Sequence, residues 1–194
     1  MNINNQIIIF TASRLTKKNG LKYLIKAMKY LPENYALRIA GSGELEKKLQ
    51  RLADRMDINH RFALLGFLNK GGLEYYYKMA DVVCRPSLSE GLGNVFLEGL
   101  GHHRPCVAPN IMGITTIFND FPEAMFDCGV KNPKKVAEQI ELALKAEIDW
   151  EKVQDRLAEK YDWDVIAGQM GNIFSNLISN ELTKGIAIIP NGTK

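Results

Sequence analysis

The stretch from Asp81 to Pro109 constrains the fold of this chain most strongly. Two short apolar runs with valines, Asp81–Cys84 and Cys106–Ala108, enclose a turn-rich loop, Arg85–Gly93, and a segment, Asn94–Gly101, that is apolar on nearly every side. That order predicts a strand, a loop, a buried helix and a second parallel strand. Because ligands of open α/β sheets lie at the carboxyl ends of such strands, we expect this loop to form part of a binding site.

The loop between these two strands is rich in glycine. Its sequence, Glu90-Gly91-Leu92-Gly93-Asn94, lets backbone N–H groups approach a ligand closely. The helix that follows, including Val95 in its first turn, directs the positive end of its dipole at the same place. Both features favour the binding of a phosphate group.

Two glutamates flank this expected anion site. Glu98 lies four residues after Asn94 on the same helix face, so its carboxylate can accept hydrogen bonds from the vicinal hydroxyls of a ribose. Glu90, in the loop, would contact a second set of hydroxyls or a developing positive charge. The alternative is that neither glutamate binds a ligand, and that Glu90 pairs with Arg85 and Glu98 with Arg104 at the surface.

Composition fits one α/β domain and excludes several classes of partner. The 194 residues carry a net charge of only +3, without a basic run or an aromatic stripe, so nucleic acid is not expected as a partner. No apolar run is long enough for a membrane span, and no signal peptide opens the chain. Cys84, Cys106 and Cys128 lie in apolar contexts without ligand spacing, which predicts reduced core cysteines in a cytoplasmic protein.

Hydrophobic patterns predict the remaining elements. Further strands are expected at Gln6–Thr11, Tyr35–Ala40, Arg61–Gly66 and Ala124–Phe126. Further helices are expected at 20–31, 44–55, Gly72–Ala80, Pro133–Lys145, Glu151–Lys160 and about 163–179. The prediction is a three-layer α/β/α domain over residues 1–180 with a parallel sheet of about six strands, followed by a flexible tail, 181–194. The side chains of Tyr75–Tyr77 are expected to pack within an amphipathic helix rather than to form a stacking platform.

The central motifs resemble those of a known enzyme family. Pro86-Ser87, Glu90-Gly91-Leu92-Gly93 and Glu98 are similar to the PS…EGxG…E signature of the GT-B glycosyltransferases, particularly the large retaining group called family 4 or group 1. Seven residues separate Glu90 from Glu98, as in the EX7E motif of that family. The resemblance extends over roughly residues 6–180 and implies a Rossmann-like fold.

The resemblance extends to the loops after the first three strands. Arg14 matches the arginine of the family's G-R-L-x-x-x-K-G loop, whose Arg and Lys bind the donor diphosphate; a surface cation is the alternative. The lysine position is Asn19 here, and Lys18 lies one residue earlier. Gly41-Ser42-Gly43 resembles the G-x-G loop on the nucleotide side. In relatives the nucleobase lies against the end of the third strand, here Leu65-Gly66 and the residues after it.

Downstream the chain departs from the family pattern. His103 stands where relatives have glycine, at the expected left-handed end of the central helix. The His102-His103 pair is not expected to bind metal, because no carboxylate or cysteine accompanies it at ligand spacing. Met112, Thr115 and Thr116 replace residues of a V-G-G-x-P-E loop that faces the donor sugar in relatives. These departures leave the identity of the sugar open.

The resemblance implies the donor-binding half of a retaining glycosyltransferase. GT-B enzymes have two Rossmann-like domains, and every motif recognised here belongs to the second; with five residues before the first predicted strand, the N-terminal acceptor domain is expected to be absent. Catalytic roles are implied for Glu90, which would contact the donor sugar, and for Arg14 and Lys18, which would offset charge on the leaving diphosphate. Nucleotide-sugar binding is implied for Gly41, Gly43, Leu65, Gly66, Gly91, Leu92, Gly93, Asn94, Val95 and Glu98.

The implied donor is a UDP- or GDP-sugar, without a metal or other cofactor. The acceptor would be a glycan or lipid bound through the N-terminal domain, and the full enzyme would lie in the cytoplasm, with peripheral association at the inner face of the membrane. The isolated domain is expected to be inactive alone. Two alternatives are a sugar-nucleotide 2-epimerase, which shares the GT-B architecture, and a non-catalytic nucleotide-binding module, which the departures at Asn19, Met112 and Thr115-Thr116 would permit.

Overall fold

A computed structural model describes the backbone of residues 6–183 and the side chains of residues 6–179. Within that range, strands and helices alternate for most of the chain. The strands are β1 (Ile7–Ala12), β2 (Tyr35–Ala40), β3 (Phe62–Gly66), β4 (Val82–Cys84), β5 (Cys106–Ala108) and β6 (Met125–Asp127). The helices are α1 (Leu21–Ala27), α2 (Glu46–Arg55), α3 (Lys70–Met79), α4 (Asn94–Gly101), α5 (Thr115–Asp120), α6 (Pro133–Lys145), α7 (Trp150–Tyr161) and α8 (Trp163–Thr183).

The six strands form one sheet in the order β3-β2-β1-β4-β5-β6, and every pairing is parallel. This confirms the predicted parallel α/β architecture, which is Rossmann-like. The order of the strands reverses between β1 and β4, so that the connections leaving these two neighbours diverge. A crevice at the carboxyl ends of the strands is expected at such a reversal.

Helices cover both faces of the sheet, as neighbouring residues of β1 show. Ile9 belongs to a buried cluster that includes Leu24 of α1 and Ile140 of α6, whereas the next residue, Phe10, contacts the rings of Tyr76 and Tyr77 in α3. Because successive strand residues point to opposite faces, α1 and α6 lie on one face and α3 on the other. The contacts with Phe10 confirm that two of the three tyrosines pack against the sheet, and Tyr77 is fully part of the core.

The largest differences from the predicted elements lie at helix ends and in one loop. The first helix is α-helical only to Ala27 and continues as a 3-10 turn, Met28–Tyr30. The segment after β5, expected to be a loop, contains α5, whose six residues are too few to show a helical period. The last helix continues to Thr183, so the start of the expected tail is helical. The rest of that tail, 184–194, lies outside the described residues.

Several other boundaries differ by one or two residues. Strand β6 begins at Met125 rather than Ala124, α2 begins at Glu46, and α3 begins at Lys70. The early start of α3 has a local cause, because the side chain of Asn69 accepts a hydrogen bond from the backbone N–H of Gly72 and thereby caps the helix. Helix α4 has the predicted bounds, and His103 just after it has the predicted left-handed conformation, with φ 57°.

The chain divides into two compact units, Met1–Gln154 and Asp155–Lys194. The first contains the whole sheet and helices α1 to α6; the described part of the second consists of the end of α7 and of α8. Within the described range, no helix is both long enough and apolar enough to cross a bilayer.

The three cysteines are buried free thiols, as predicted. Burial raises the pKa of Cys84 and of Cys106, and raises the pKa of Cys128 to about 12. All three therefore remain protonated near neutral pH and behave as small apolar core residues.

Candidate functional site

A cavity of about 710 Å³ opens at the carboxyl ends of the strands, where the strand order reverses. Its wall is formed by residues that follow β1, β2 and β3 and by the loop between β4 and α4. This volume is within the range of sites that bind ligands of cofactor size. Eight predicted site residues line the cavity, namely Arg14, Gly41, Glu90, Leu92, Gly93, Asn94, Val95 and Glu98.

Five other predicted residues are not part of the lining. One of them, Gly66, supports the lining residue Gly41, because its carbonyl accepts a hydrogen bond from the N–H of Gly41 at 2.7 Å. The remaining residues outside the lining are Lys18, Gly43, Leu65 and Gly91. The lining continues past β3 with Phe67 and Leu68, and the ring of Phe67 is 82% exposed. The ligand-binding roles of the five predicted residues outside the lining stay predictions.

Helix α4 points its amino end into this cavity and follows a glycine in the left-handed conformation. Gly93 precedes the helix with φ 79°, a conformation that L side chains rarely adopt. A Cβ atom at this position would lie 2.8 Å from the ring of Phe96. No side chain caps the helix, so its first N–H groups, at Asn94 and Val95, remain available to an anion.

Glu90 is held in the cavity wall by an ion pair with Arg85. The guanidinium Nη2 lies 2.6 Å from Glu90 Oε1, and the two side chains are only 10% and 9% exposed. Ser87 Oγ donates a hydrogen bond to the same carboxylate oxygen at 3.0 Å and accepts one from Arg85 Nε at 3.2 Å. The suggested Arg85 pair therefore exists, but the prediction of a surface pair is wrong, because the pair is buried.

Further contacts fix Arg85 itself. Its Nη1 donates to the carbonyl of Ala12 at the end of β1, and its guanidinium lies 5.4 Å from the centre of the Phe96 ring. Burial lowers the pKa of Arg85, and the negative charge of Glu90 acts in the opposite direction. Since both side chains line the cavity, the pair adds little net charge to the site.

Glu98 has a different partner, Tyr77 of α3. The phenol donates a hydrogen bond of 2.5 Å to Glu98 Oε2. Burial, followed by the charge of Glu98, raises the pKa of Tyr77 well above its usual value, so the phenol remains a donor. The Tyr77 ring stacks on the His102 ring at 5.3 Å between centroids, which helps to hold the phenol in place. Glu98 has two carboxylate oxygens, and within the described part of the chain only Oε2 accepts a hydrogen bond. Oε1 therefore remains available to a ligand.

The suggested pairing of Glu98 with Arg104 is wrong. Arg104 donates instead to the main-chain carbonyls of Tyr77 and Lys78 at the end of α3. Carbonyls near a helix carboxyl end lack helical partners and attract cations, which explains why the guanidinium binds there.

The loop after β1 places one of its two expected cations in the cavity. Arg14 is exposed and lines the cavity. Asn19, at the position of the family's lysine, is buried, and its Nδ2 donates to the carbonyl of Arg14 at 2.6 Å. The side chain of Lys18 is exposed outside the lining, while its carbonyl accepts a hydrogen bond from the N–H of Leu88. Asn19 therefore stabilises this loop rather than supplying a charge.

The segment in which Met112, Thr115 and Thr116 depart from the family comprises the loop before α5 and the start of that helix, and its loop lies close to the Glu90 loop. Gly113 has φ 93°, and a Cβ there would lie 2.3 Å from the carbonyl oxygen of Glu90. Met112 is almost fully exposed and is not part of the cavity lining.

Two residues of this site were not assigned to it from the sequence. The sequence predicts Arg85 only as a surface partner of Glu90, although its place directly before Pro86-Ser87 in the central loop is a signal for the site. Tyr77 carried no comparable signal, because its contact with Glu98 spans 21 positions and two helices. No group of three or more His, Cys, Asp or Glu side chains in the described part of the chain is arranged to bind a metal.

The fold and this site define a class of domain. An all-parallel sheet in the order 3-2-1-4-5-6, with a cavity and a helix amino end at its reversal, is typical of nucleotide-binding Rossmann-like domains. The sequence profile of the glycosyl transferases group 1 family matches residues 2–161. The chain belongs to this family, which confirms the resemblance found in its motifs.

Individual relatives agree with this assignment. An uncharacterised glycosyltransferase of Methanocaldococcus jannaschii is 32% identical over 180 residues, covering 88% of this chain and 45% of the relative. The structure of HepE from Anabaena, in complex with UDP and glucose, has a TM-score of 0.75 at 20% identity and covers 90% of this chain and 49% of HepE. The C-terminal domain of a group 1 glycosyl transferase from Francisella tularensis has a TM-score of 0.65 at 18% identity, covering 81% of this chain and 87% of that domain.

The fold is thus that of the C-terminal domain of a GT-B enzyme. The chain spans about half the length of the curated relatives it matches.

Proposed function

We propose that this chain is the nucleotide-sugar-binding domain of a retaining glycosyltransferase, which transfers a sugar from a UDP- or GDP-sugar to a glycan or lipid acceptor. One observation carries the proposal: a single cavity contains two carboxylates of different surroundings, Glu90 and Glu98, beside the uncapped amino end of α4. Each feature suits one part of a nucleotide sugar. The helix end suits the diphosphate, Glu98 suits the ribose, and Glu90 suits the sugar.

The chemistry of the cavity suggests a role for each feature. The N–H groups of Asn94 and Val95, together with the Arg14 guanidinium, would bind the diphosphate and stabilise the charge that develops when the sugar leaves. Oε1 of Glu98 would accept hydrogen bonds from ribose hydroxyls. Glu90, oriented by Arg85, would contact the donor sugar. We assign no direct role to Lys18, because its side chain does not line the cavity. Protein cations and helix dipoles would make a metal unnecessary.

The activity of the whole protein is proposed on the same basis. The full-length enzyme would carry a second, acceptor-binding domain, since the relatives are about twice as long. We propose that it acts on the cytoplasmic side of a membrane, associated peripherally with it. The three free thiols fit a reducing compartment.

A non-catalytic nucleotide-binding module is the second candidate. It is favoured by Asn19, which stabilises the loop where relatives place a diphosphate-binding lysine, and by the absence of the Lys18 side chain from the cavity lining. Both candidates predict nucleotide binding, but only the first predicts sugar transfer. Turnover of a nucleotide sugar by the full-length protein, with a glycan or lipid acceptor, separates them.

Calorimetry on this chain tests the shared part of the proposal. UDP and GDP are titrated with and without a chelator, with UDP first because HepE was crystallised with UDP. We expect weak binding of at least one nucleotide that the chelator does not alter. The Arg14→Ala variant is the matched control: it should weaken the diphosphates and leave the bare nucleoside unchanged, because the guanidinium contacts phosphate. Absence of binding by any nucleotide, or binding abolished by the chelator, contradicts the proposal.

A further inference from the structure

A second cavity, of about 560 Å³, lies between α1 and α2. We call it the leucine groove, because five leucines form its apolar surface. These are Leu21, Leu45, Leu49, Leu52 and Leu88. Leu21 and Leu49 are buried, whereas Leu45, Leu52 and Leu88 are partly accessible to solvent. The groove can therefore offer apolar surface to a ligand without unfolding.

Only cations supply charge around the leucine groove. Its charged lining residues are Lys17, Lys22, Lys26, Lys48, Arg55 and Lys131, and no aspartate or glutamate is among the lining residues. None of the six forms an ion pair within the described part of the chain. Elsewhere on the surface, lysines do pair with acids, as Lys78 does with Glu74 and Lys134 with Glu138. Six uncompensated cations beside leucines favour a ligand that is anionic at one end and apolar at the other.

The small extent of the groove indicates which kind of ligand fits. Helices α1 and α2 have 7 and 10 residues, so each is only about 10–15 Å long. A stable protein interface uses about 800 Å² and roughly 20–30 residues from each partner, whereas 14 residues line this groove. Its volume is instead in the range of a single small molecule, roughly 300–1,000 Å³.

We propose that the leucine groove binds an acidic phospholipid at a bilayer surface. The lysines and Arg55 would hold the phosphate of the head group, and part of an acyl chain would lie against the leucines. The inference deepens the membrane association proposed above by assigning it to a surface of this domain. It does not depend on donor binding, since the groove and the nucleotide cavity share no lining residue.

Vesicle co-sedimentation of this chain tests the inference. We expect binding to vesicles of phosphatidylcholine mixed with phosphatidylglycerol, little binding to phosphatidylcholine alone, and weakening by salt. Each lysine near an anionic bilayer contributes roughly fivefold in affinity, so the double variant Lys22→Gln/Lys48→Gln should lose roughly 25-fold. The double variant Lys134→Gln/Lys145→Gln removes the same charge from α6 and should lose less than about threefold.

A second pair of variants tests whether the apolar surface takes part. Leu52→Gln in the groove should weaken vesicle binding by about fivefold or more. Leu142→Gln, at an exposed leucine of α6, should leave binding unchanged. Thermal unfolding of each variant confirms that it remains folded.

Three outcomes would overturn the inference. They are equal binding to neutral and acidic vesicles, equal losses from the two double variants, and capture of glycerol phosphate without any binding to vesicles. In each case UDP calorimetry on the same samples still reports on the donor site, so failure of one proposal is distinguishable from failure of the other.

Discussion

The two glutamates of the site have the same side chain but different electrostatic surroundings. Glu90 is buried against a cation, Arg85, whereas the described partner of Glu98 is a neutral phenol, Tyr77. The charge of Glu90 is compensated inside the protein, which lets a carboxylate lie beside an anion-binding helix end without repelling a diphosphate. Glu98 forms no ion pair among the described residues, so its carboxylate suits neutral hydroxyl donors. The difference shows that two residues of the same type in one motif can have different chemistry, because each depends on the side chain that pairs with it.

The largest expected effect is on stability and comes from removing Arg85, the cation that pairs with Glu90 but not with Glu98. Arg85→Met leaves the Glu90 carboxylate buried without a counter-charge, which should lower the free energy of unfolding by about 3–5 kcal/mol. Urea denaturation of the apo protein measures this. The double variant Arg85→Met/Glu90→Leu should recover most of the loss, because neither charge then remains. A loss below about 1 kcal/mol in the single variant would show that the pair behaves as a surface ion pair.

Glu98→Gln should have the next largest effect, on binding rather than on stability. Replacing a charged acceptor weakens its hydrogen bonds by about 1.5–3 kcal/mol, roughly ten- to a hundredfold in affinity. We expect this loss for the nucleoside, the nucleoside diphosphate and the nucleotide sugar alike, because all three contain the ribose. Calorimetric titration of the three ligands provides the measurement. A loss confined to the nucleotide sugar would mean that Glu98 contacts the sugar instead.

Tyr77→Phe should produce a smaller loss. The variant removes the donor that orients Glu98 while keeping the ring that stacks on His102. Net hydrogen bonds contribute about 1 kcal/mol, so nucleoside affinity should fall roughly fivefold. Tyr76→Phe, at the tyrosine that stacks on Phe10 in the same helix, is the control and should change nothing. If both variants bind the nucleoside like the unaltered protein, Tyr77 does not orient Glu98.

Glu90→Gln should change diphosphate binding least. Glu90 is not expected to contact the nucleotide, and its loss releases the positive charge of Arg85 into the cavity wall. The affinity for a nucleoside diphosphate should therefore stay the same or increase by up to about threefold. The defect should appear with the nucleotide sugar, or in turnover by the full-length enzyme. Equal losses on the plain diphosphate for Glu90→Gln and Glu98→Gln would show that the two glutamates do not differ in role.

The region around α4 could be predicted well because its information is local. The bounds of the helix, the glycine before it and the left-handed His103 after it all depend on residues within a few positions of one another. The parallel direction of the strands followed from general rules for βαβ connections, and the sheet confirms it.

Contacts between distant segments could not be read in the same way. The hydrogen bond from Tyr77 to Glu98 depends on how α3 and α4 pack, and no pattern within either helix specifies it. The direction of the Lys18 side chain is likewise not specified by the local sequence. A shift of one residue from the family's lysine turns its side chain away from the cavity, while the neighbouring Asn19 turns inward. The burial of the Arg85 pair required knowledge of what covers it, which here includes the end of β1 and the ring of Phe96.

The backbone hydrogen bond from Leu88 to Lys18 has a consequence for the entropy of donor binding. At 2.6 Å it joins the loop that carries Arg14 to the loop that carries Glu90, far apart in sequence. Loops that are already tied together lose less conformational freedom when a ligand bridges them, so less of the interaction energy is spent on ordering the protein. This one main-chain contact thus preorganises both walls of the cavity before any nucleotide arrives.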